Sequence, residues 1–393
     1  MYRVSTRYEA SPRYLGLALA SLSFFSTLLL RIYWGSLAPY LISRGVGEEL
    51  IGLVGSAFFA GYVVSQIPGG ILGDRKGPGF AMGIGLVLSG FFNTLFYLVD
   101  RGFWVWVSLA VGLLSGTVYG PSVKLVKTLF PQNTERAMGV YSVAWSLPFL
   151  TAPWLVSGVV GSGDPGYVHM VVGLLCVSVG IADLVLLRGV GARDPGQVLG
   201  DLVSTLWRYR GSLVFVSLGG FLTLYYNWVI AYWTPYYIVL SGSSTIEASL
   251  AMSVFSIAGL VSMPLAGILA SRLGVMRLLV IDLFFYSASG ILLSRYPSGS
   301  LLIPLMTILG FTRFVTTPLN STILSMIFPR SVLSTASSLV NTFWQLSGAA
   351  APIITALSLK TTSPGNAMLI SSLAPLLATI PYSLLARRVG RGG

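Results

Sequence analysis

The sequence predicts an all-α membrane protein in which twelve transmembrane helices form two pseudo-symmetric six-helix bundles. Three observations support this fold class: the composition, a series of long apolar stretches, and an internal repeat. Of the 393 residues, 54% are hydrophobic and only 9% are charged, whereas a soluble domain carries about 25% charged residues. This chain has too few polar side chains to cover its surface in water, which excludes a soluble fold.

The apolar stretches are divided by charged and turn residues, and each is near or above the roughly 20 residues that cross a bilayer as a helix. The predicted spans are 15–42, 48–72, 78–99, 103–130, 136–160, 166–188, 211–240, 246–271, 275–295, 301–327, 332–357 and 365–388. We expect an N-terminal six-helix bundle at 1–190, a cytoplasmic linker at 191–210 and a C-terminal six-helix bundle at 211–393.

The basic residues predict the orientation, because Lys and Arg remain preferentially on the cytoplasmic side of a membrane. With the N-terminus inside, most of the 24 Lys and Arg residues fall in or beside cytoplasmic segments. We therefore expect a multi-pass protein of the cytoplasmic membrane with both termini in the cytoplasm. A basic inner rim facing anionic lipid accounts for the net charge of +12 without a nucleic-acid partner.

The internal repeat appears when the chain is slid along itself by about two hundred residues. RIYWGSLAPY at 31–40 then lies over NWVIAYWTPY at 227–236, and GILGDRKG at 70–77 lies over GILASRLG at 267–274. Each half has an even number of predicted spans, so both halves share one topology. Parallel repeats related by an axis along the membrane normal are one described design of secondary transporters.

The repeated loop after spans 2 and 8 resembles the signature of the major facilitator superfamily, and the similarity extends over essentially the whole chain. The residues that carry it are Gly70, Asp74, Arg75 and Gly77, echoed by Gly267, Arg272 and Gly274. The resemblance implies a conformational latch in which Asp74 faces a helix N-terminus of the opposite half, where the dipole favours an anion. Because Ser271 replaces the acid in the second copy, we expect one strong latch and one weak latch.

A narrower resemblance points to the anion-transporting branches of that family, including the anion:cation symporters. It rests on the Arg31 region, on FAGYVVSQIPGGILGDRKG at 59–77 and on FPQNTERAMG at 130–139. The chain departs from many such relatives at Leu30, where they carry an acid, and near the start of span 4, where it lacks a further Arg and Glu. The resemblance implies a small anionic substrate.

Two arginines, Arg31 and Arg313, lie well inside predicted spans rather than near their ends. An arginine at the middle of a bilayer costs about 2.5–3.5 kcal/mol on insertion scales, so it normally faces the protein interior or water. Neither span contains an acid that is a candidate partner, and a guanidinium is suited to carboxylate or phosphate. We expect a substrate anion to supply the countercharge; the alternative is that an arginine snorkels to the interface or bonds to backbone carbonyls.

Polar and aromatic residues on the spans predicted to line the cavity are further candidates for substrate contact. They are Tyr33, Trp34, Lys124, Tyr141, Trp145, Tyr225, Tyr226, Asn227, Trp228, Asn341, Trp344 and Gln345. Aromatic side chains with a polar edge hold an organic ligand and orient it. Arg31 aligns with Asn227 across the repeat, which predicts a pocket that is positive on one side and neutral on the other. The alternative for each aromatic residue is a packing or interfacial role.

The numbers of cysteine, histidine and acidic residues limit the kinds of chemistry available to the chain. One cysteine and one histidine exclude an intrachain disulfide, a thiolate metal cluster and a catalytic triad, so we expect no metal, no cofactor and no enzymatic activity. Apart from Glu48, Glu49 and Glu247 at the starts of spans, the acids within spans are Asp183 and Asp282. Both lie on helices expected to be outer supports, so symport with a proton or another ion, exchange and facilitated diffusion all stay open.

The main hypothesis is a monomeric secondary transporter or facilitator of a small anion, a carboxylate, sugar acid or phosphate ester, that works by alternating access. An efflux pump for amphipathic or drug-like compounds is the alternative. Such a pump is expected to carry an acid in its pocket. A non-transporting membrane receptor or a membrane-embedded enzyme is the third hypothesis, and the sequence offers no extramembrane ligand domain or catalytic cluster for it.

Overall fold

The computed structural model describes residues 10–190, 207–328 and 333–389, and the chain is almost entirely helical over these ranges. The helices are α1 Ala10–Ile42, α2 Glu48–Lys76, α3 Pro78–Leu98, α4 Trp104–Ser115, α5 Tyr119–Leu129, α6 Thr134–Ser142, α7 Leu147–Ser162, α8 Tyr167–Leu186, α9 Arg210–Leu240, α10 Thr245–Leu273, α11 Val275–Leu293, α12 Leu302–Ile327, α13 Leu333–Thr361, α14 Pro364–Ser372 and α15 Ala374–Val389. Most of the predicted linker, 191–206, lies outside the described residues.

The predicted spans are confirmed as helices. Eleven helical stretches in the described part of the chain are long and apolar enough to cross a membrane. Three of these stretches are interrupted and comprise two α-helices each: α4 with α5, α6 with α7, and α14 with α15. The predicted span at 332–357 is α13, which is 29 residues long but richer in Ser, Thr, Asn and Gln, and it completes the set of twelve.

The described residues fall into two compact units. Unit 1 contains 10–31, 60–148 and 163–190, and unit 2 contains 32–59, 149–162, 207–328 and 333–389. The division passes through α1, α2 and the start of α7. Unit 2 therefore combines the C-terminal helices with the second part of α1, the first part of α2 and most of α7.

Within unit 1, glycines allow helix backbones to approach closely. A Cβ atom on Gly61 of α2 would lie 2.3 Å from the carbonyl oxygen of Leu109 on α4, and one on Gly90 of α3 would lie 2.5 Å from that of Gly173 on α8. Small residues at helix contacts permit this close packing where lipid supplies no hydrophobic drive for association. The α2 backbone is thereby fixed against α4, which positions the residues described below.

Within unit 2, similar contacts hold α10 against α12. A Cβ atom on Gly310 of α12 would lie 2.1 Å from the carbonyl oxygen of Phe255 on α10, and one on Gly259 would meet the ring of Phe314 at 2.2 Å. The rings of Phe255 and Phe314 lie 5.5 Å apart. This packing fixes the part of α12 that carries Arg313, the residue that precedes Phe314.

Candidate functional site

Arg31 belongs to unit 1 and is fully buried. Its Nε donates a hydrogen bond to the carbonyl oxygen of Thr27 at 3.2 Å, one turn earlier on α1. Its guanidinium carbon lies 4.1 Å from the centroid of the Tyr62 ring on α2, where the ring quadrupole attracts a cation. Burial excludes the snorkelling alternative for Arg31, although one backbone carbonyl does bind its Nε.

Aromatic side chains surround this position in unit 1. The ring of Phe24 stacks on Tyr141 at 5.0 Å and on Trp145 at 5.8 Å, and Tyr119 lies 5.2 Å away. The hydroxyl groups of Tyr141 and Ser122 form a 2.7 Å hydrogen bond. Both Tyr119 and Tyr141 are close enough to interact electrostatically with Arg31. The structure therefore brings the candidates Arg31, Tyr141 and Trp145 together.

Tyr62 and Tyr119 belong to the same cluster, and sequence reasoning missed both. Each is a single tyrosine in an apolar helix, and nothing in its local pattern distinguishes it from a packing residue. The feature that reveals them is a close approach between helices, which only the structure shows. A Cβ atom on Gly116, directly after α4, would lie 2.5 Å from the carbonyl oxygen of Tyr62. This close approach fixes the α2 segment that carries Tyr62 beside the junction between α4 and α5.

Arg313 occupies the interior of unit 2 and is 1% exposed. Its Nε donates a 2.5 Å hydrogen bond to Oδ1 of Asn227 on α9. One terminal nitrogen donates to the hydroxyl groups of Thr316 and Thr317, at 3.1 Å and 3.2 Å, which lie one turn later on α12. These acceptors are all neutral. Two predicted site residues, Asn227 and Arg313, are thus direct hydrogen-bond partners.

Asp282 on α11 also belongs to the surroundings of Arg313. Its side chain is 6% exposed and interacts electrostatically with Arg313. Tyr286, one turn later, is fully buried and interacts with both charges, and its ring lies 5.2 Å from that of Tyr226 on α9. The sequence analysis set Asp282 aside because its helix was expected to be an outer support, and it looked for a partner of Arg313 only within the span that contains Arg313.

The other candidates in unit 2 differ in their surroundings. Trp344 donates its indole N–H to the carbonyl oxygen of Val216 at 2.9 Å and packs over Gly220, which supports its packing interpretation. Gln345 is buried, while Tyr225 and Asn341 are half-buried. Tyr33 and Trp34 are buried with their rings 5.6 Å apart, and Trp228 packs on Phe59 at 4.5 Å.

The repeated loop has the same backbone form in both copies. Gly77 and Gly274 have φ angles of 97° and 84°, in a region that favours glycine, and each separates two consecutive helices. Asp74, near the end of α2, accepts a 2.5 Å charged hydrogen bond from Lys124 on α5. The two residues were assigned separate roles in the sequence, a latch and a substrate contact, and the structure pairs them within unit 1.

Unit 2 also contains a set of contacts at the predicted extracellular ends of the helices. The hydroxyl of Tyr236 donates to Glu48 at 2.9 Å, and Lys360 pairs with the adjacent Glu49 at 2.7 Å. The hydroxyls of Ser157 and Ser249 lie 3.3 Å apart. These contacts, which we call the outer cluster, join α2 and α7 of the first repeat to α9, α10 and α13 of the second.

Comparison with known proteins identifies related families and folds. A sequence model described as Major Facilitator Superfamily matches residues 19–352. The probable hexose phosphate transport protein of Chlamydia pneumoniae is 29% identical over 168 residues, covering 41% of this chain and 35% of that protein. The membrane sensor protein UhpC of Escherichia coli (strain K12) is 26% identical over 216 residues, covering 53% and 47%.

A putative inorganic phosphate cotransporter of Drosophila melanogaster is 34% identical over 96 residues, 23% of this chain and 18% of that protein. The alignments thus span less than half of the length of each of these three relatives.

Among solved structures, a mutant of the nucleoside transporter NupG has a TM-score of 0.79 at 15% identity, covering 94% of this chain and 99% of that chain. A bacterial homologue of human Spinster, inward-facing and occupied, has a TM-score of 0.76 at 14% identity, covering 95% and 97%. At such identities the likeness shows the fold alone.

Proposed function

The chain belongs to the Major Facilitator Superfamily, and on this premise we propose that it transports a small anion across the cytoplasmic membrane by alternating access. Phosphate esters and inorganic phosphate are the first substrate classes to consider, followed by organic carboxylates. Transport, rather than a covalent reaction, is the activity we assign to the chain. We infer that it acts as a monomer in the lipid bilayer, with both termini in the cytoplasm.

The observation that carries this proposal is the complete burial of Arg31 beside the Tyr62 ring. A guanidinium keeps its proton under all physiological conditions and presents donors in a planar fork that matches carboxylate or phosphate. Ionisable residues at membrane depth are costly and mark substrate or ion pathways. We assign Arg31 the role of binding the anionic group, with Tyr62, Tyr119, Tyr141 and Trp145 around it.

The second buried arginine supports the same substrate class. Arg313 is held by the neutral acceptors Asn227, Thr316 and Thr317, which orient a positive charge without cancelling it. The names of the relatives add support, since two of them refer to hexose phosphate transport and to inorganic phosphate cotransport. The names of the relatives do not favour the alternative of an efflux pump for amphipathic compounds.

A membrane sensor is the second candidate function, because UhpC of Escherichia coli, described as a membrane sensor protein, is among the similar proteins. A sensor of this fold binds the same class of anion without moving it. The two functions are separated by measuring binding and transport on one preparation.

The test is counterflow in proteoliposomes. Purified protein is reconstituted into vesicles loaded with unlabelled glucose 6-phosphate, inorganic phosphate or a sugar acid, and entry of the labelled compound is followed. Transient accumulation of a labelled anion supports the proposal. Saturable binding in detergent without counterflow assigns the sensor function instead, and neither binding nor counterflow for any anion overturns the proposal.

A further inference from the structure

A buried polar cluster in unit 2 contains more hydrogen-bonding capacity than the described residues use. It comprises Asp282 and Tyr286 on α11, Asn227 on α9 and Arg313 on α12. Within the described part of the chain, Oδ2 of Asp282, Oη of Tyr286 and Nδ2 of Asn227 are buried and have no hydrogen-bond partner. Buried polar atoms are normally satisfied, so a group of unsatisfied ones requires an explanation.

The charges of this cluster are close but not neutralised by direct contact. Asp282 interacts electrostatically with Arg313, yet the hydrogen bonds that the structure gives to Arg313 go to Asn227, Thr316 and Thr317. An ionised carboxylate in the interior is costly unless it is paired and hydrogen-bonded. Asp282 therefore has a buried carboxyl oxygen without the hydrogen bond that an ionised carboxylate requires, on a helix beside a guanidinium whose own hydrogen bonds go elsewhere.

Titratable side chains on the described helices around Asp282 lie mostly at the helix ends. They are Arg277 and Tyr286 on α11, Glu247 and Arg272 on α10, Arg313 on α12, and Tyr382, Arg387 and Arg388 on α15, and α9 adds Tyr226, whose ring lies against Tyr286. Arg277 and Arg272 are exposed, and the Tyr382 hydroxyl is bound to Asn320 at 2.7 Å. Helix α14 has no titratable side chain. Arg313 is thus the charge that acts on Asp282.

We propose that Asp282 is the proton-binding site that couples transport to a proton gradient. When Asp282 is ionised, the Asp282–Arg313 pair has no net charge and binds an anion weakly. When Asp282 takes up a proton, its carboxyl group becomes neutral, Arg313 is left without compensation, and the cluster attracts the substrate anion. The inference rests on the proposed function and assigns its driving ion, with proton and anion carried in the same direction.

Thermodynamic linkage between proton binding and anion binding determines whether the anion affinity rises or falls with pH. If proton binding increases anion affinity by a given factor, anion binding increases proton affinity by the same factor, typically about 5–150-fold. Anion affinity is therefore highest at low pH, where Asp282 is protonated, and falls as the pH rises through its titration. Replacement of Asp282 by the neutral isostere asparagine fixes the high-affinity charge state and removes this dependence.

The experiment compares Asp282→Asn with the wild type in proteoliposomes, with labelled inorganic phosphate or glucose 6-phosphate as the probe. For the wild type, an inward proton gradient stimulates net uptake. For Asp282→Asn, stimulation by the gradient falls by about tenfold or more. Binding of the same probe in detergent weakens with rising pH for the wild type and stays constant for the variant.

Asp183→Asn is the matched control, because Asp183 is likewise a buried carboxylate and accepts a 2.7 Å hydrogen bond from Ser23 in unit 1. This control is expected to retain gradient-driven uptake. Gradient stimulation that survives in Asp282→Asn, or that is lost in Asp183→Asn alone, overturns the inference. Wild-type counterflow without any gradient response also overturns it and leaves the proposed function intact, whereas absence of counterflow in the wild type contradicts the proposed function itself.

Discussion

Lys124 and Asp74 form a 2.5 Å ion pair between α5 and the end of α2, with side chains that are 28% and 45% exposed. Exposed pairs of this kind contribute about 0–1 kcal/mol to stability, so the pair is not required to hold the fold. Its position at the repeated loop instead suggests that Asp74 exchanges partners during transport. We propose that Lys124 binds Asp74 in this conformation and that the latch partner implied by the family binds it in another.

The first prediction follows from that pair. Lys124→Gln and Asp74→Asn are each expected to lower the turnover number while KM for the anion changes by less than about threefold, since neither loss removes the arginine that binds the substrate. The double variant is expected to resemble either single variant, because residues that act as one unit are not additive. A tenfold rise in KM for Lys124→Gln alone would assign Lys124 to the substrate site instead.

The second prediction concerns the ring beneath Arg31. A buried cation–π contact is worth about 2 kcal/mol, and Tyr62 supplies this contact for Arg31 at 4.1 Å. Tyr62→Leu is expected to weaken anion binding by about tenfold or more, whereas Tyr62→Phe, which keeps the ring, has a much smaller effect. Isothermal titration of both variants with the transported anion measures the difference. Equal losses would show that the hydroxyl group, rather than the ring, matters.

The third prediction concerns the outer cluster. Ser157 on α7 and Ser249 on α10 have hydroxyl oxygens 3.3 Å apart, so we choose these two positions for an engineered disulfide. Oxidation of Ser157→Cys/Ser249→Cys is expected to arrest transport, because alternating access requires these ends to separate.

Reduction of that disulfide restores transport if the arrest is conformational. The single variants serve as controls, and the native Cys176 does not interfere because it is fully buried. Full transport with the disulfide quantitatively formed would show that the outer cluster stays closed throughout the cycle, against the alternating-access proposal.

Local sequence patterns predict the helices and turns of this chain, but they do not predict which side chains meet between helices. The helices and the repeated turns were predictable, because apolar length and the two glycines at Gly77 and Gly274 are local properties. Burial of Arg31 was predictable from the cost of exposing a charge to lipid. The cluster around Arg313 was only half predictable: Asn227 was found through the repeat, whereas Asp282 comes from another helix and has no motif.

Pairings across helices were the least predictable feature. Lys124 and Asp74 were both identified, but for different reasons, since no rule of spacing relates α2 to α5. The same applies to Tyr62 and Arg31, whose contact depends on how closely glycines let the helices approach. Such contacts depend on packing between helices, which a single sequence does not encode in any local period.

The role of Arg31 is tested most directly by measuring anion binding to Arg31→Lys and Arg31→Ala. Glucose 6-phosphate and inorganic phosphate are titrated into each purified variant. Arg44→Ala, which replaces an exposed arginine in the loop after α1, is the control, and gel filtration checks folding. We expect Arg44→Ala to bind both anions with wild-type affinity and Arg31→Ala to show no measurable binding. Arg31→Lys is expected to lose about tenfold or more in affinity, because lysine keeps the charge but not the planar fork. Wild-type affinity and transport in a folded Arg31→Ala protein would contradict the role assigned to Arg31.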